Sequence, residues 1–337
     1  MCVKAHAGKM EKLRFGVIGI GGMAEHLAKL LQQFEDAVVV AAADTNPERK
    51  GAADALNAVF YTDYEQMLQK EALDAVVIGT PCGLHLEPTL AAAQAGKHIF
   101  LEKPMEISVE RCDRMNRAAQ EAGVKLMVGQ VLRLFPLFQK SLDIIASGEI
   151  GKPKAIAVTR AGYATVFHSG WRVKRELAGG MLLETNVHEM DYMRTVMGEP
   201  RQVYARMFNL LGKMEYEDVA YLIIDFQDGG IGDLEASLSA AVGEYRVHII
   251  CEGGAIAHGG FGGNLRWARF GEKETVVSVE EAQQEYGDPY VRELRSFVDW
   301  VLHDKPPLFT GWDGRQAVAM CEAAYLSQER GMPVVVG

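Results

Sequence analysis

Two short stretches of the sequence place residues that can transfer protons in constrained positions. In "FLEKPM" (residues 100–105), an apolar run ends in Glu102 and Lys103, and Pro104 then fixes the backbone and removes a hydrogen-bond donor. A surface ion pair contributes little to stability and needs no such rigidity. The pattern therefore predicts that Lys103 stabilises developing negative charge on a reacting oxygen, or relays its proton.

The second stretch is "GGMLLETNVHEMD" (179–191). On a helix, Glu184 and His188 are i,i+4 neighbours, and a carboxylate beside a histidine can orient the ring and stabilise its protonated form. This predicts a general acid/base, with a structural histidine bonded to its helical neighbour as the alternative. "HEMDY" begins like HExxH, but Tyr192 replaces the second histidine and no nearby Cys or His completes a ligand set, so no metal site is predicted.

A third stretch, "FGVIGIGGMAEHL" (15–27), places Gly19, Gly21 and Ala24 in the three positions of a GxGxx(G/A) dinucleotide fingerprint. It follows the first predicted strand and begins a helix, whose N-terminal N–H groups favour phosphate. Asp44, at the end of the second strand, is placed to bond a ribose hydroxyl and to repel a 2′-phosphate. We therefore predict NAD as the cofactor, with NADP less favoured. Capping the next helix is the other role open to Asp44.

The elements that carry these residues alternate in the first part of the chain. Apolar strands are predicted at 14–19, 37–43, 74–79, 97–102 and 124–128, and helices at about 22–34, 46–57, 84–95 and 108–121. Strands that are apolar throughout and separated by helices indicate a doubly wound parallel sheet, the Rossmann fold. Ligands bind beyond the carboxyl ends of such strands, which is where Lys103 lies. Residues 12–129 are predicted to form this domain.

After Gly129 the pattern changes to successive strands with helices before and after them. Helices are predicted at 134–147 and about 180–197, 288–303 and 312–329, and strands at 153–162, 202–209, 219–226, 231–238, 245–251 and 275–279. The Asp-Gly of "QDGG" (227–230) supplies the positive φ angles of a tight hairpin turn. This order indicates a C-terminal α+β domain on a largely antiparallel sheet, over residues 130–337.

Composition limits the classes of partner. The 337-residue chain is 48% hydrophobic and 24% charged with a net charge of −10, which disfavours nucleic acid and anionic membrane surfaces. No apolar stretch approaches the ~20 residues of a membrane helix, and the first residues lack the apolar segment of a signal peptide. The five cysteines are scattered without CxxC spacing, so reduced thiols and a cytoplasmic location are expected.

Together, "VIGIGGMA", "TPCGLHLEPTLAAAQAGKHIFLEKPM" (80–105) and "GGMLLETNVHEMD" resemble the Gfo/Idh/MocA family of oxidoreductases, in family order and over nearly the whole chain. The resemblance implies that Lys103 is the catalytic lysine and His188 the acid/base histidine, with Glu184 in place of the usual aspartate. Cofactor binding is predicted for Gly19, Ile20, Gly21, Gly22, Met23, Asp44, Thr80, Pro81, His85, Glu102 and Lys103. Substrate binding is predicted for Lys103, Arg133, Trp171, Arg172 and His188.

The residues and the resemblance predict an NAD-dependent dehydrogenase or reductase that transfers a hydride between nicotinamide and a CH–OH carbon of a sugar, polyol or inositol. In this prediction His188 takes the hydroxyl proton and Lys103 stabilises the oxygen. The alternatives are a glycosidase that uses NAD for transient oxidation and a dinucleotide-binding sensor without catalysis. A homodimer or homotetramer is expected, because one face of the second sheet has no evident helix to cover it.

Overall fold

A computed structural model describes residues 12–337 of the chain. The expectations for the first residues, no signal peptide and a reduced Cys2, lie outside this range. Within it, the fold consists of a parallel sheet covered by helices and a larger, mostly antiparallel sheet, as the sequence predicts.

The first sheet has six parallel strands in the order β3-β2-β1-β4-β5-β6. They are β1 (Leu13–Ile18), β2 (Ala37–Ala43), β3 (Val59–Tyr61), β4 (Ala75–Ile78), β5 (His98–Leu101) and β6 (Leu126–Val128). The helices are α1 (Gly22–Leu31), α2 (Lys50–Ala55), α3 (Tyr64–Lys70), α4 (Leu86–Gln94) and α5 (Val109–Ala122). The sequence reading contains neither β3 nor α3, because a three-residue strand gives too short a pattern and α3 is marked only by its N-cap, Asp63.

The second sheet has nine strands in the order β14-β13-β12-β11-β7-β10-β9-β8-β15. They are β7 (Pro153–Tyr163), β8 (Pro200–Phe208), β9 (Val219–Phe226), β10 (Ile231–Ser237), β11 (Ser239–Cys251), β12 (Gly254–Gly259), β13 (Gly262–Arg269), β14 (Thr275–Ser278) and β15 (Val334–Val335). All its neighbouring strands are antiparallel except β7 and β10. The β9–β10 turn is confirmed, with Gly229 at φ +81° and a 2.9 Å bond from Phe226 N to Gly230 O.

The helices of this part are α6 (Pro136–Ser147), α7 (Arg175–Ala178), α8 (Val187–Met197), α9 (Val279–Tyr286), α10 (Pro289–His303) and α11 (Gly311–Arg330). The predictions for this part, which lacked α7 and α9, were incomplete in two further respects. The hairpin β12–β13 was not predicted, and the strand expected at 275–279 ends at Ser278, which caps α9 with a reciprocal Ser278–Glu281 capping box.

Helix α10 packs against the first sheet, although it follows the second sheet in sequence. The Phe297 ring lies 5.7 Å from that of Phe100 and 6.1 Å from that of Phe15, all three residues being fully buried. Phe100 belongs to the strand that ends next to Lys103, so α10 supports the rigid base from which the lysine extends. None of the helices in the part of the chain that the structure describes is long and apolar enough to cross a membrane.

Candidate active site

The turn between β1 and α1 leaves open space above its backbone. Gly19 has φ +78°, and a Cβ there would lie 2.8 Å from Thr80, so only glycine fits. A Cβ on Gly21 or Gly22 would meet no protein atom, because both residues face a cavity. Gly21 gives α1 no side-chain cap, so its first N–H groups remain available to an anion. These features fit a dinucleotide pyrophosphate.

The third fingerprint position holds the helix close to the sheet. Ala24 is 1% exposed, and a Cβ added to Gly79 after β4 would lie 2.6 Å from the Ala24 Cβ. A larger side chain at either position would push α1 away from the strand ends. The fingerprint thus sets both the turn and the helix position.

Asp44 lies at the edge of the same cavity. One of its carboxylate oxygens accepts the N–H of Asn46 at 2.9 Å, and Asn46 rather than Asp44 caps the short 3₁₀ helix Pro47–Arg49. The bond holds the Asp44 side chain in a turn and accounts for one oxygen of the carboxylate. This arrangement leaves the second oxygen available to a ribose hydroxyl.

Lys103 extends from the end of β5 into the cavity, and its Nζ donates a hydrogen bond to the backbone oxygen of Glu184 at 2.7 Å. The following peptide bond, Lys103–Pro104, is cis. Burial raises the pKa of the neighbouring Glu102 carboxyl to about 7, even though the charge of Lys103 opposes the shift. Two groups that bear protons therefore lie side by side at this strand end.

The segment before His188 is not a plain α-helix. Residues Leu182–Asn186 form a π-helical turn, and α8 begins only at Val187. The i→i+5 bonds of a π turn add a residue to the helix and still leave positions i and i+4 about one turn apart. No hydrogen bond joins the Glu184 carboxylate to His188 within residues 12–337, so the pairing expected from the spacing is not formed. The Glu184 carboxylate instead accepts a hydrogen bond from Arg172 Nε at 3.0 Å.

His188 lies among positive charges. Burial, and then the charges of Lys103 and Arg160, hold the pKa of His188 well below its usual range, so the imidazole is neutral at neutral pH. Its Nδ1 is buried and has no hydrogen-bond partner among residues 12–337. A neutral imidazole with an unpaired nitrogen can accept a proton, as the sequence predicts for a base.

The cavity joins the two parts of the molecule and has a volume of about 710 Å³. Of the predicted site residues, those on its wall are Gly19, Gly21, Gly22, Met23, Asp44, Thr80, Pro81, Glu102, Lys103, Trp171, Arg172 and Glu184. The Arg172 guanidinium is also stacked 4.4 Å from the Trp171 ring. Residues far apart in sequence thus line one cleft.

Other predicted site residues lie behind the cleft wall. Ile20 is fully buried in the core. His85 is also buried, and its ring nitrogens lie 2.8 Å from the Thr80 oxygen and 3.0 Å from the Pro104 oxygen. Burial lowers the pKa of His85 to about 4. This histidine therefore connects the loop after β4 to the loop after β5, a supporting position rather than the cleft-lining one predicted.

Arg133 also lies away from the cleft wall. Its guanidinium bonds Asp191 in a buried, paired arrangement, with Nε 2.6 Å from one carboxylate oxygen, and it reaches Asp313 on α11 at 3.0 Å. These contacts join three elements of the second part of the chain. Substrate contact by Arg133 stays a prediction, without support from this geometry.

Several residues that line the cleft were missed by the sequence reading, and two of them make polar contacts of their own. Arg111 on α5 bonds the Gly83 oxygen at 3.0 Å and the buried Glu106 at 2.7 Å, and Cys82 donates from Sγ to the Leu177 oxygen at 3.0 Å. Arg111 lies in no motif, whereas Cys82 lies within the stretch 80–105, and its position just after a strand end could have indicated it. Within the described residues, no group of three His, Cys, Asp or Glu side chains is arranged to hold a metal ion.

Comparison with known proteins agrees with this geometry. Residues 13–130 match the model of an oxidoreductase family with an NAD-binding Rossmann fold, and residues 143–336 match that of its C-terminal alpha/beta domain. A myo-inositol 2-dehydrogenase of Thermotoga maritima is 29% identical, with 94% of this chain and 96% of that protein covered. A 1,5-anhydro-D-fructose reductase of Ensifer adhaerens is 31% identical, with 91% and 93% covered.

Among solved structures, the WlbA dehydrogenase of Bordetella pertussis, in complex with NADH and UDP-GlcNAcA, superposes with a TM-score of 0.89 at 27% identity, covering 97% of this chain and 98% of that one. The matches extend over both sheets, and therefore over both walls of the cleft. The chain belongs to the Gfo/Idh/MocA family of NAD-binding oxidoreductases.

Proposed function

We propose that this oxidoreductase transfers a hydride between NAD and a CH–OH carbon of a sugar, polyol or inositol, with Lys103 and His188 handling the proton and the charge on oxygen. The observation that carries the proposal is the bond from Lys103 Nζ to the Glu184 oxygen, because it anchors the lysine in the cavity that the Gly19–Gly22 turn also lines. Related proteins named for myo-inositol and 1,5-anhydro-D-fructose support the substrate class. Bound NAD would supply the hydride acceptor.

Each residue has a role that follows from its surroundings. His188, held neutral by burial and by nearby positive charge, accepts the hydroxyl proton. Lys103 stabilises the oxygen as negative charge grows on it. Glu184 acts through its backbone, which anchors Lys103, and through its carboxylate, which holds Arg172 on the cleft wall.

The cofactor preference follows from Asp44. Its carboxylate lies at the cleft edge, where it can bond a ribose hydroxyl and where it opposes a 2′-phosphate. Arg49 also lines the cavity and partly offsets this repulsion. Measured kcat/KM should be higher with NAD than with NADP, and a clear preference for NADP would remove this role from Asp44.

The related dehydrogenases and reductases do not favour the two alternatives. Turnover of an aryl glycoside without a net change in NADH absorbance would support the glycosidase. A sensor would bind NAD and turn over no substrate. It would have no use for Lys103 and His188, which are both in place.

The assembly and the location also belong to this proposal. Large apolar side chains are exposed on the outer face of the second sheet, including Tyr221 at 53%, Ile223 at 49% and Ile231 at 49%, and this face is proposed to form a homodimer or homotetramer interface. A monomer by light scattering would refute it.

The location is proposed to be cytoplasmic. Its support is a set of four free cysteines, namely Cys82, Cys112, Cys251 and Cys321. The proposed domains are residues 12–129 and 130–337.

The test of the function is a panel of inositols, sugars and polyols, each followed by absorbance for NADH formation. At least one neutral polyhydroxy compound should reduce NAD, and Lys103→Ala should abolish most of that activity while retaining NAD binding. If no member of the panel is oxidised by enzyme that binds NAD, the substrate class is wrong.

A further inference from the structure

The helix that carries Glu184 and His188 begins without a cap of its own. Its π-helical turn and α8 run on continuously over residues 181–197, and they are preceded by Gly179 and Gly180. Glycine has no side chain that could accept the first N–H groups of the helix, and these groups have no partner within the helix itself. The partner comes from a distant part of the chain.

That partner is the carboxylate of Glu217, in the loop between β8 and β9. One of its oxygens accepts the N–H of Met181 at 2.9 Å and the N–H of Leu182 at 3.4 Å. Glu217 is 6% exposed, and a carboxylate at a helix N-terminus is stabilised by the free N–H groups and by the helix dipole. Glu217 therefore caps, from outside, the helix that leads to Glu184 and His188.

The Tyr325 hydroxyl on α11 takes part in the same contact. It donates to the capping oxygen of Glu217 at 2.7 Å and accepts the Leu182 N–H at 3.2 Å. Burial, and then the charge of Glu217, hold the pKa of Tyr325 well above its usual range, so the hydroxyl keeps the proton that it donates. Gly180 has φ +129°, and a Cβ there would collide with this hydroxyl, so the start of the helix packs directly on α11.

The second oxygen of Glu217 holds the turn before the helix. It accepts a hydrogen bond from Arg175 Nη2 on α7 at 2.8 Å, and Arg175 Nη1 donates to the Gly179 oxygen at 3.2 Å. The Arg175 side chain is 46% exposed, so this ion pair contributes little to stability. Its consequence is geometric, because the backbone on both sides of Gly180 is connected to one carboxylate.

Backbone hydrogen bonds connect the start of the helix to the anchor of Lys103. The Gly180 oxygen accepts the Glu184 N–H at 3.0 Å, and the Glu184 oxygen accepts the bond from Lys103 Nζ at 2.7 Å. A shift of the helix start would therefore move the acceptor that holds Lys103 in the cleft. Catalysis tolerates little displacement of this kind, since a misplacement of ~1 Å can cost ~10²-fold in rate.

We propose that Glu217 and Tyr325 are positioning residues for the hydride transfer, because they fix the start of the π-helical turn and through it the Glu184 oxygen that holds Lys103. The inference rests on the proposed function and adds two residues to it. Neither of them lines the cofactor cavity, so both act through Lys103 and not by contact with the cofactor or substrate.

The first test is Tyr325→Phe, which keeps the ring against Gly180 and removes the hydroxyl. With NAD and the best compound of the panel, the single-turnover rate of NADH formation should fall about tenfold, the effect of one lost hydrogen bond. The dissociation constant of NADH, followed by the fluorescence of the bound NADH, should stay within about twofold of the wild type. A general disturbance of the cleft would instead weaken NADH binding and slow the reaction together.

The matched control for this variant is Tyr286→Phe on α9. The Tyr286 hydroxyl also donates to a carboxylate, that of Asp143, and this residue has no contact with the π-helical turn. Neither the rate of NADH formation nor the dissociation constant of NADH should change in Tyr286→Phe.

The second test combines substitutions at positions 217 and 103. Glu217→Ala removes the cap and should slow NADH formation about 100-fold. Glu217→Gln should recover about tenfold of that loss, because its amide oxygen still accepts the two N–H groups. In the Lys103→Ala background, Glu217→Ala should slow the reaction by less than about tenfold, since the group through which it acts is already missing.

A control from the same loop separates the cap from its surroundings. Glu215→Ala removes exposed contacts with Lys174 and with the Arg175 N–H and leaves the start of the helix untouched, so the rate should not change. Thermal unfolding of each variant shows whether the fold is retained. Tyr325→Phe tests the inference by itself if Glu217→Ala does not fold.

The outcomes separate this inference from the proposed function. A wild-type rate in Tyr325→Phe, loss of NADH affinity in step with the rate, or equal losses from Glu217→Ala with and without Lys103 would each overturn the positioning role. The dehydrogenase function would stand in all three cases, because the wild type still oxidises its substrate. A wild type that binds NADH and oxidises no compound of the panel would overturn the proposed function, on which the inference rests.

Discussion

The wall of the cleft formed by the parallel sheet and the wall formed by residues 171–184 hold their polar groups by different kinds of contact. On the sheet side, positions follow from backbone geometry, such as the φ of +78° at Gly19 and the strand end that carries Lys103. On the opposite side, Glu184 is held by Arg172 through an ion pair, and His188 follows a π-helical turn. Short motifs therefore encode the first wall, and contacts between distant residues form the second.

Besides the contact from Cys82 Sγ to the Leu177 oxygen, the two walls are joined by the bond from Lys103 Nζ to the Glu184 backbone oxygen. Because the acceptor is a backbone atom, the anchor does not depend on the side chain at position 184. The comparison thus predicts large effects from Lys103 and His188 and a smaller one from the Glu184 carboxylate. Four substitutions test that order.

The largest effect is expected for Lys103→Ala. It removes the group that stabilises the negative charge on the reacting oxygen in the proposed mechanism, so kcat should fall by ~10⁴-fold, the upper end for a positioned acid/base. NAD affinity and thermal unfolding should stay close to wild type, since the side chain extends into a cavity. Near wild-type kcat would show that Lys103 serves only as a structural contact.

His188→Asn should lower kcat by ~10³-fold, because it removes the base and keeps much of the volume. The pKa of His188 is lowered by burial and by nearby positive charge, so the wild type should lose activity only as the pH falls below ~6.5, through that lowered pKa. The acid limb of kcat/KM for oxidation should disappear in the variant. If the limb persists at the same pH, another group is the base.

Arg133→Met should act on stability rather than turnover. It leaves the fully buried Asp191 without its counter-charge, and breaking such a pair costs ~3 kcal/mol in the free energy of unfolding. The control is Arg201→Met, which removes an exposed pair with Asp225 and should change the free energy by less than ~1 kcal/mol. A raised KM with unchanged stability would instead restore the substrate contact predicted for Arg133.

The smallest effect is expected for Glu184→Gln. The backbone oxygen still accepts the bond from Lys103, and the amide oxygen still accepts one from Arg172, so kcat should fall only about tenfold. Steady-state kinetics at saturating NAD measures this. A loss as large as that of His188→Asn would show that the carboxylate takes part in the proton transfer.

The sequence alone predicted the parts of the structure that depend on neighbouring residues. The fold class, the turn at Gly19, the strand end at Lys103 and the β9–β10 turn all follow from local patterns of glycine and apolar residues. Each is determined by backbone sterics or strand burial, which a short window of sequence records.

What the sequence could not predict depends on pairs that are distant along the chain. The Arg172–Glu184 and Arg133–Asp191 ion pairs redirect side chains that helical spacing places elsewhere. One signal was available for a further pair, Arg160–Glu189: Arg160 follows Ile156 and Val158 on the buried face of β7, where a charged residue needs a partner.

The most direct test of the central claim is the fate of the hydrogen on the substrate carbon. The enzyme is incubated with NAD and the best compound of the panel, carrying deuterium at the reacting CH–OH carbon, and the NADH formed is examined by NMR at nicotinamide C4. The account predicts that the deuterium is recovered at C4, and that Lys103→Ala slows this transfer without changing its destination. NADH that forms without deuterium at C4 would contradict direct hydride transfer in this cleft.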